Sequence, residues 1–150
     1  MTMDDHTDES RPASSWVDLD GPVHYVDHGG PQDGPLLVCV HGLGGSHVNW
    51  VRVAPGLAGF SRVLALDLPG FGRSPRAGRP TRMMDSRRWL SGFLDRTTDG
   101  PVVLAGNSMG GAIAVQLAAR YPQLVRTLTL VSPALPKVGV RRTNVHLPVI

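Results

Sequence analysis

The sequence predicts an α/β fold, a mostly parallel β-sheet with helices on both faces. Three observations carry this. Apolar runs of strand length recur at 35–40, 62–66, 102–105 and 125–131. Continuous rather than alternating runs suit strands buried on both faces. Helix-like segments lie between them, at 81–95 and 112–120, and such alternation is the pattern of parallel sheets. Gly-rich loops follow the C-terminal strand ends, where open α/β sheets bind their ligands.

A chain of 150 residues holds one sizeable core and reads as one domain. It has no run of about 18 consecutive apolar residues, so no membrane span is expected. Residues 1–15, MTMDDHTDESRPASS, are acidic and polar, lack the apolar stretch of a signal peptide, and read as a disordered leader. Cys39 is the only cysteine, which excludes an intrachain disulfide and a Cys-based zinc site. It lies in an apolar run and reads as a small core residue. A cytoplasmic location fits.

Charge is uneven. Residues 1–33 carry eight acids against one base, Arg11, and residues 34–150 carry four acids against fourteen bases. A basic body can signal nucleic acid or an anionic substrate. The arginines from Arg73 to Arg88 are not interleaved with aromatics, however, and no nucleic-acid motif occurs. No nucleic-acid partner is expected.

Taken in order, Trp16–Asp20 and Val23–His28 read as two strands around Gly21-Pro22. Alternation in the second puts Val23, Tyr25 and Asp27 on one face and His24, Val26 and His28 on the other. The strand at 35–40 ends in His41-Gly42-Leu43-Gly44-Gly45-Ser46, with Ser46 placed to cap a helix over 47–53. The strand at 62–66 ends in Asp67-Leu68-Pro69-Gly70-Phe71-Gly72-Arg73-Ser74. The helix at 81–95 offers Met84, Trp89, Leu90, Phe93 and Leu94 to the core. Residues 101–120, PVVLAGNSMGGAIAVQLAAR, run from strand to helix through Gly106-Asn107-Ser108-Met109-Gly110. A strand that turns straight into a helix forces its apex residue into strained backbone. Gly106, Gly110 and Gly111 let strand and helix approach without Cβ clashes. Ser108 then stands exposed over a helix N-terminus, which favours developing negative charge.

Three of these loops together resemble the α/β-hydrolase fold. His41 to Gly45 is similar to the HGxGG loop after the third strand of that family. Asp67 to Ser74 is similar to its D-x-P-G-x-G-x-S loop after the fourth, and Gly106 to Gly111 to its nucleophile elbow after the fifth. The resemblance covers Trp16 to Pro136. The wording is similar to the serine hydrolase branch: carbon–carbon bond hydrolases, esterases and proline iminopeptidases. Dehalogenases and epoxide hydrolases would carry Asp at position 108. The resemblance implies that Ser108 attacks a carbonyl carbon and forms an acyl-enzyme. The oxyanion donors would be the backbone N–H groups of Met109 and Leu43. His41, with Gly42, would hold the oxyanion loop in shape. Asp67 would order its own loop, and Gly106 and Gly110 would permit the elbow. Phe71, Met109 and Trp50 are pocket candidates and equally core candidates. No cofactor and no metal cluster is expected. The partner is a small molecule: ester, thioester, amide, lactone and vinylogous diketone all stay open, as does perhydrolysis.

The family's triad runs Ser, then Asp or Glu, then His. From Met109 to Ile150 there is no Asp or Glu, and the only histidine is His146. The sequence therefore reads as an α/β-hydrolase fold truncated after about the sixth strand. Residues 16–136 are the N-terminal part of the core, and 137–150 the start of a lid or a disordered tail. The expectation is that triad acid and histidine are absent and turnover is negligible. The strand at 125–131 is expected to be an exposed edge, prone to self-association. A non-catalytic binding protein of the same fold is the alternative, and the intact elbow weighs against it. A nucleotide-binding domain is disfavoured, because 42–47 lacks the third glycine of G-x-G-x-x-G and no P-loop occurs.

Overall fold

The structure, a computed structural model, describes residues 12–136. It holds one six-stranded sheet in the order β1-β2-β4-β3-β5-β6. The strands are β1 (Ala13–Asp18), β2 (Pro22–Asp27), β3 (Leu37–Val40), β4 (Val63–Leu66), β5 (Val102–Asn107) and β6 (Val125–Val131). The pairs β4·β3, β3·β5 and β5·β6 are parallel. β2 runs antiparallel to both β1 and β4. Three α-helices connect the parallel strands: α1 (Ala54–Leu57), α2 (Met83–Thr97) and α3 (Met109–Arg120).

The apolar runs divide their side chains by alternation. Val38 and Val40, Leu64 and Leu66, and Val102 and Leu104 join Phe93, Leu94, Ile113 and Leu117 in one cluster, under α2 and α3. Leu37 and Cys39, Val63 and Ala65, and Ala105 join Trp50 and Ala54 in a second, under α1. Period-two alternation with both faces apolar is why these strands read as unbroken runs. The chain leaves β3 for β4 on one side and returns past β3 to β5 on the other. Right-handed crossovers then place α1 and α2 on opposite faces. They also make the C-terminal ends of β3 and β5 the switch point of the sheet.

Several local expectations change. β1 begins at Ala13, so residues 13–15, expected as leader, are ladder residues; residues 1–11 and the expected lid or tail at 137–150 lie outside the described residues. The helix expected over 47–53 is a single 3₁₀ turn, His47–Trp50, followed after a break by α1. Ser46 does cap it, in a capping box with Asn49. Met84, expected in the core, is 68 % exposed. It lies on the face of α2 that also carries the exposed Arg88 and Asp95, away from Ser86, Trp89, Leu90 and Phe93. β6 lies at the edge of the sheet, and Leu130 and Val131 are exposed there.

Candidate functional site: an elbow serine and a histidine–aspartate network

Register sets the site. Val40 stands opposite Gly106 of β5 and Leu66 of β4, and Tyr25 of β2 stands opposite Leu66. The residues that follow, His41, Asp67 and Asn107-Ser108, therefore lie at one level with His24, across four strands.

At the elbow, Ser108 has φ 50° and ψ −115°, the left-handed backbone that L-residues avoid. The flanking structure enforces it. The Ser108 N–H donates to Val131 O at 3.0 Å, and its carbonyl accepts from Ala112 at 3.2 Å and Ala134 at 2.9 Å. A Cβ on Gly106 would lie 2.6 Å from the Gly111 backbone, and one on Gly110 would run into the carbonyls of Val40 and His41. Strand, elbow and helix are thus packed backbone to backbone. Ser108 precedes the first residue of α3, so the leading N–H groups of that helix, Met109's among them, lack intrahelical acceptors. No hydrogen bond among the described residues engages Ser108 Oγ.

The loop after β3 packs against this elbow. A Cβ on Gly42 would lie 3.0 Å from Asn107 Oδ1 and 3.3 Å from Ser108 Cβ. Gly42 O accepts from Gly45 N at 3.0 Å, and Gly44 has φ +70°, so residues 42–45 form a type II turn. His41 braces it: Nδ1–H donates to Gly42 O at 2.8 Å, while Nε2 accepts from Leu68 N–H at 3.1 Å. Those partners fix the neutral tautomer. Burial lowers the His41 pKa, against the opposing pull of the Gly42 carbonyl and Asp67. A cavity of about 330 Å³ opens beside the elbow, lined by Asn49, Trp50, Val53, Asn107 and Val131. Trp50 is thus both core and pocket wall, while Phe71 and Met109 pack against the core.

Asp67 does more than order its own loop. Its buried carboxylate accepts from Arg73 N–H at 2.9 Å, His47 N–H at 2.6 Å and the His47 ring at 2.9 Å. The His24 ring reaches it too, Nδ1 to Oδ2, at 2.9 Å. Burial pushes the Asp67 pKa up, but these donors outweigh it and hold the carboxyl below its ordinary value. With Nδ1–H committed to Asp67, Nε2 of His24 is left as acceptor. It meets Ser14 Oγ at 2.5 Å. Ser14, His24 and Asp67 therefore form a hydrogen-bonded chain in triad order.

The expectation that the chain lacks a triad acid and histidine, on which the expected lack of turnover rested, is overturned by this cluster. That reading sought both groups downstream of Ser108, whereas they lie upstream. The serine they engage is Ser14 on β1. His24 and His47 drew no attention in the sequence. The available signal was alternation, which puts His24 on an inward face of β2. His24, His47 and Asp67 also place three metal-ligand atoms within 4.8 Å of one another. The carboxylate is already compensated by N–H donors, so the three read as a hydrogen-bond network.

The profile of the alpha/beta hydrolase fold family matches residues 35–147. This chain belongs to the α/β-hydrolase family. The Pseudomonas putida dihydrolipoyllysine-residue acetyltransferase component of the acetoin cleaving system is 40% identical over 105 residues, 70% of this chain and 28% of that protein. Lipase LipV of Mycobacterium tuberculosis is 38% identical over 117 residues, 78% of this chain and 44% of that protein. A crystal structure of a bacterial membrane phospholipase A superposes with TM-score 0.78 at 35% identity, covering 84% of this chain and 42% of that one. The chain spans less than half the length of each. The elbow with its paired loops is the family feature the structure displays most fully. No helix among the described residues is long and apolar enough to cross a membrane.

Proposed function

We propose that this hydrolase acts on carboxylic esters, with Ser108 as the nucleophile. One observation carries the reading: the left-handed backbone of Ser108 at the mouth of α3. Such strain persists only where the surroundings over-determine it, and here it aims an unpartnered hydroxyl over a helix N-terminus. As Ser108 Oγ adds to a carbonyl carbon, the oxygen that gains charge would be met by the backbone N–H groups of Met109 and Leu43. A donor of this kind contributes about 3 kcal/mol to the transition state. The hydrogen bonds of His41 hold the turn that carries Leu43, which makes His41 and Gly42 positioning residues. The mostly apolar cavity walled by Trp50 and Val53 would take the acyl chain. LipV and the phospholipase, named for ester substrates, support this class.

A fluorophosphonate probe tests it. Ser108 is expected to be the most rapidly modified residue, by peptide mass mapping, and Ser108→Ala to lose that adduct. Modification of Ser108 no faster than of the surface serines would end the proposal. We propose further that the exposed edge of β6 pairs with a second copy when this chain is isolated, to be read from its concentration-dependent size in solution.

A further inference from the structure

We propose that Ser14 is a second reactive serine, an acyl-acceptor site separate from the elbow. Two groups converge on its hydroxyl. His24 Nε2 stands 2.5 Å from Oγ, in position to take its proton. The ring cannot turn away, because Nδ1–H is held by Asp67 Oδ2 at 2.9 Å, and Trp16 and His47 pack edge-on against it at 5.0 and 4.9 Å between ring centres. The second group is Arg73, whose Nη1 donates to Oγ at 2.9 Å and whose guanidinium lies over the Trp16 ring at 5.8 Å.

Accessibility is graded in the way a nucleophile needs. Ser14 is exposed, while His24 and Asp67 are fully buried. The proton acceptor and its carboxylate thus sit out of water behind a hydroxyl that a reagent can reach. The pairing follows from the β1·β2 register: Trp16 stands opposite His24, and Ser14 is its diagonal neighbour on the same face. Ser15, next along the strand, points to the other face and has no such base. It is a built-in control.

The step balances without a co-reactant beyond the ester itself. Ser14 Oγ bonds to the carbonyl carbon of an activated ester, and its proton passes to His24 Nε2. The bond from carbon to the leaving alkoxide breaks, and Nε2 returns the proton to that oxygen. The products are an acyl-serine and an alcohol. Arg73 holds positive charge beside the attacking oxygen itself, so the favoured donors are small activated esters and their phosphonate analogues. Ser14 sits on a relaxed strand and faces no helix N-terminus, so its acylation is slower than that of the elbow serine.

The test uses the full chain carrying Ser108→Ala, which removes the elbow nucleophile, treated with p-nitrophenyl acetate and read by residue-resolved mass spectrometry. Acetylation at Ser14 is expected about 10²-fold faster than at Ser15, the low end of what a positioned general base contributes. It should slow in Arg73→Met, which removes the hydrogen bond to Oγ and whose side chain is at the surface. Ser14→Ala should lose the adduct. Equal modification of Ser14 and Ser15, or a rate at Ser14 unchanged in Arg73→Met, would overturn the proposal. Ser108 is read in wild-type protein on a separate peptide, so failure at either serine leaves the other result standing.

Discussion

The two serines divide between them what a hydrolase needs at one. Ser108 has the geometry: a left-handed backbone, glycines on either side and a helix N-terminus beneath it. Its hydroxyl makes no hydrogen bond among the described residues. Ser14 has the proton chemistry, a histidine at 2.5 Å and a buried aspartate behind it, on an unstrained edge strand. In this chain, then, the strained, charge-stabilising geometry and the histidine–aspartate pair lie at different serines. The first is built by chain direction, strand into helix at the switch point of the sheet. The second is built by lateral register, which here joins β1, β2 and β4.

The sharpest way to break the elbow side is Gly110→Ala. The new Cβ would meet the carbonyls of Val40 and His41, which are backbone and cannot swing away. We expect a loss of about 4 kcal/mol or more, among the rare severe substitutions, read as collapse of the urea midpoint. A midpoint within 1 kcal/mol of wild type, on the order of ordinary surface substitutions, would show that α3 is not pressed onto β3. Asp67→Asn strikes the network side. It removes the buried charge and turns an NH₂ toward groups that are themselves donors, at a cost of about 3 kcal/mol. It should also erase the reactivity difference between Ser14 and Ser15. If that difference survives in folded Asp67→Asn protein, His24 needs no aspartate to hold its tautomer.

The two sides were unequally legible in the sequence. The elbow could be read because all its determinants lie within six residues, Gly106 to Gly111, between an apolar run and an Ala-rich helix. The sheet could be read because strands buried on both faces leave continuous apolar runs. The network could not. His24 and Asp67 are 43 positions apart, and their pairing exists only once β2 lies antiparallel to β4. Nothing local marks a strand histidine as paired. Searching for acid and base only after Ser108 compounded this, since it took chain order for geometry. Met84 failed for a different reason: it shares the exposed face of α2 with Arg88 and Asp95, opposite Ser86 and Phe93, so helical period argues against its burial.

A smaller effect separates the two sides by pH. Burial lowers the pKa of His41, which braces the turn after β3, and of His28, whose ring nitrogens have no partner among the described residues. A histidine whose folded pKa lies below its unfolded value near 6.5 binds its proton more readily in the unfolded chain. Its contribution to stability is whole above that value and is lost as pH falls through the folded pKa. Asp67 is also depressed, but from the carboxylate range, so its contribution is whole above about pH 4 and fades only below it. Urea unfolding followed downward from pH 7 should therefore show two separate declines. The first, between pH 7 and 5, has a slope of at most about 1.4 kcal/mol per pH unit for each histidine. The second begins below pH 4. His28→Phe removes one of the two titrating rings and should flatten the first decline while leaving the second in place. A single decline confined to the region below pH 4 would mean that the rings of His28 and His41 accept protons freely in the folded state, and that the brace on the turn after β3 tolerates a charge the geometry says it excludes.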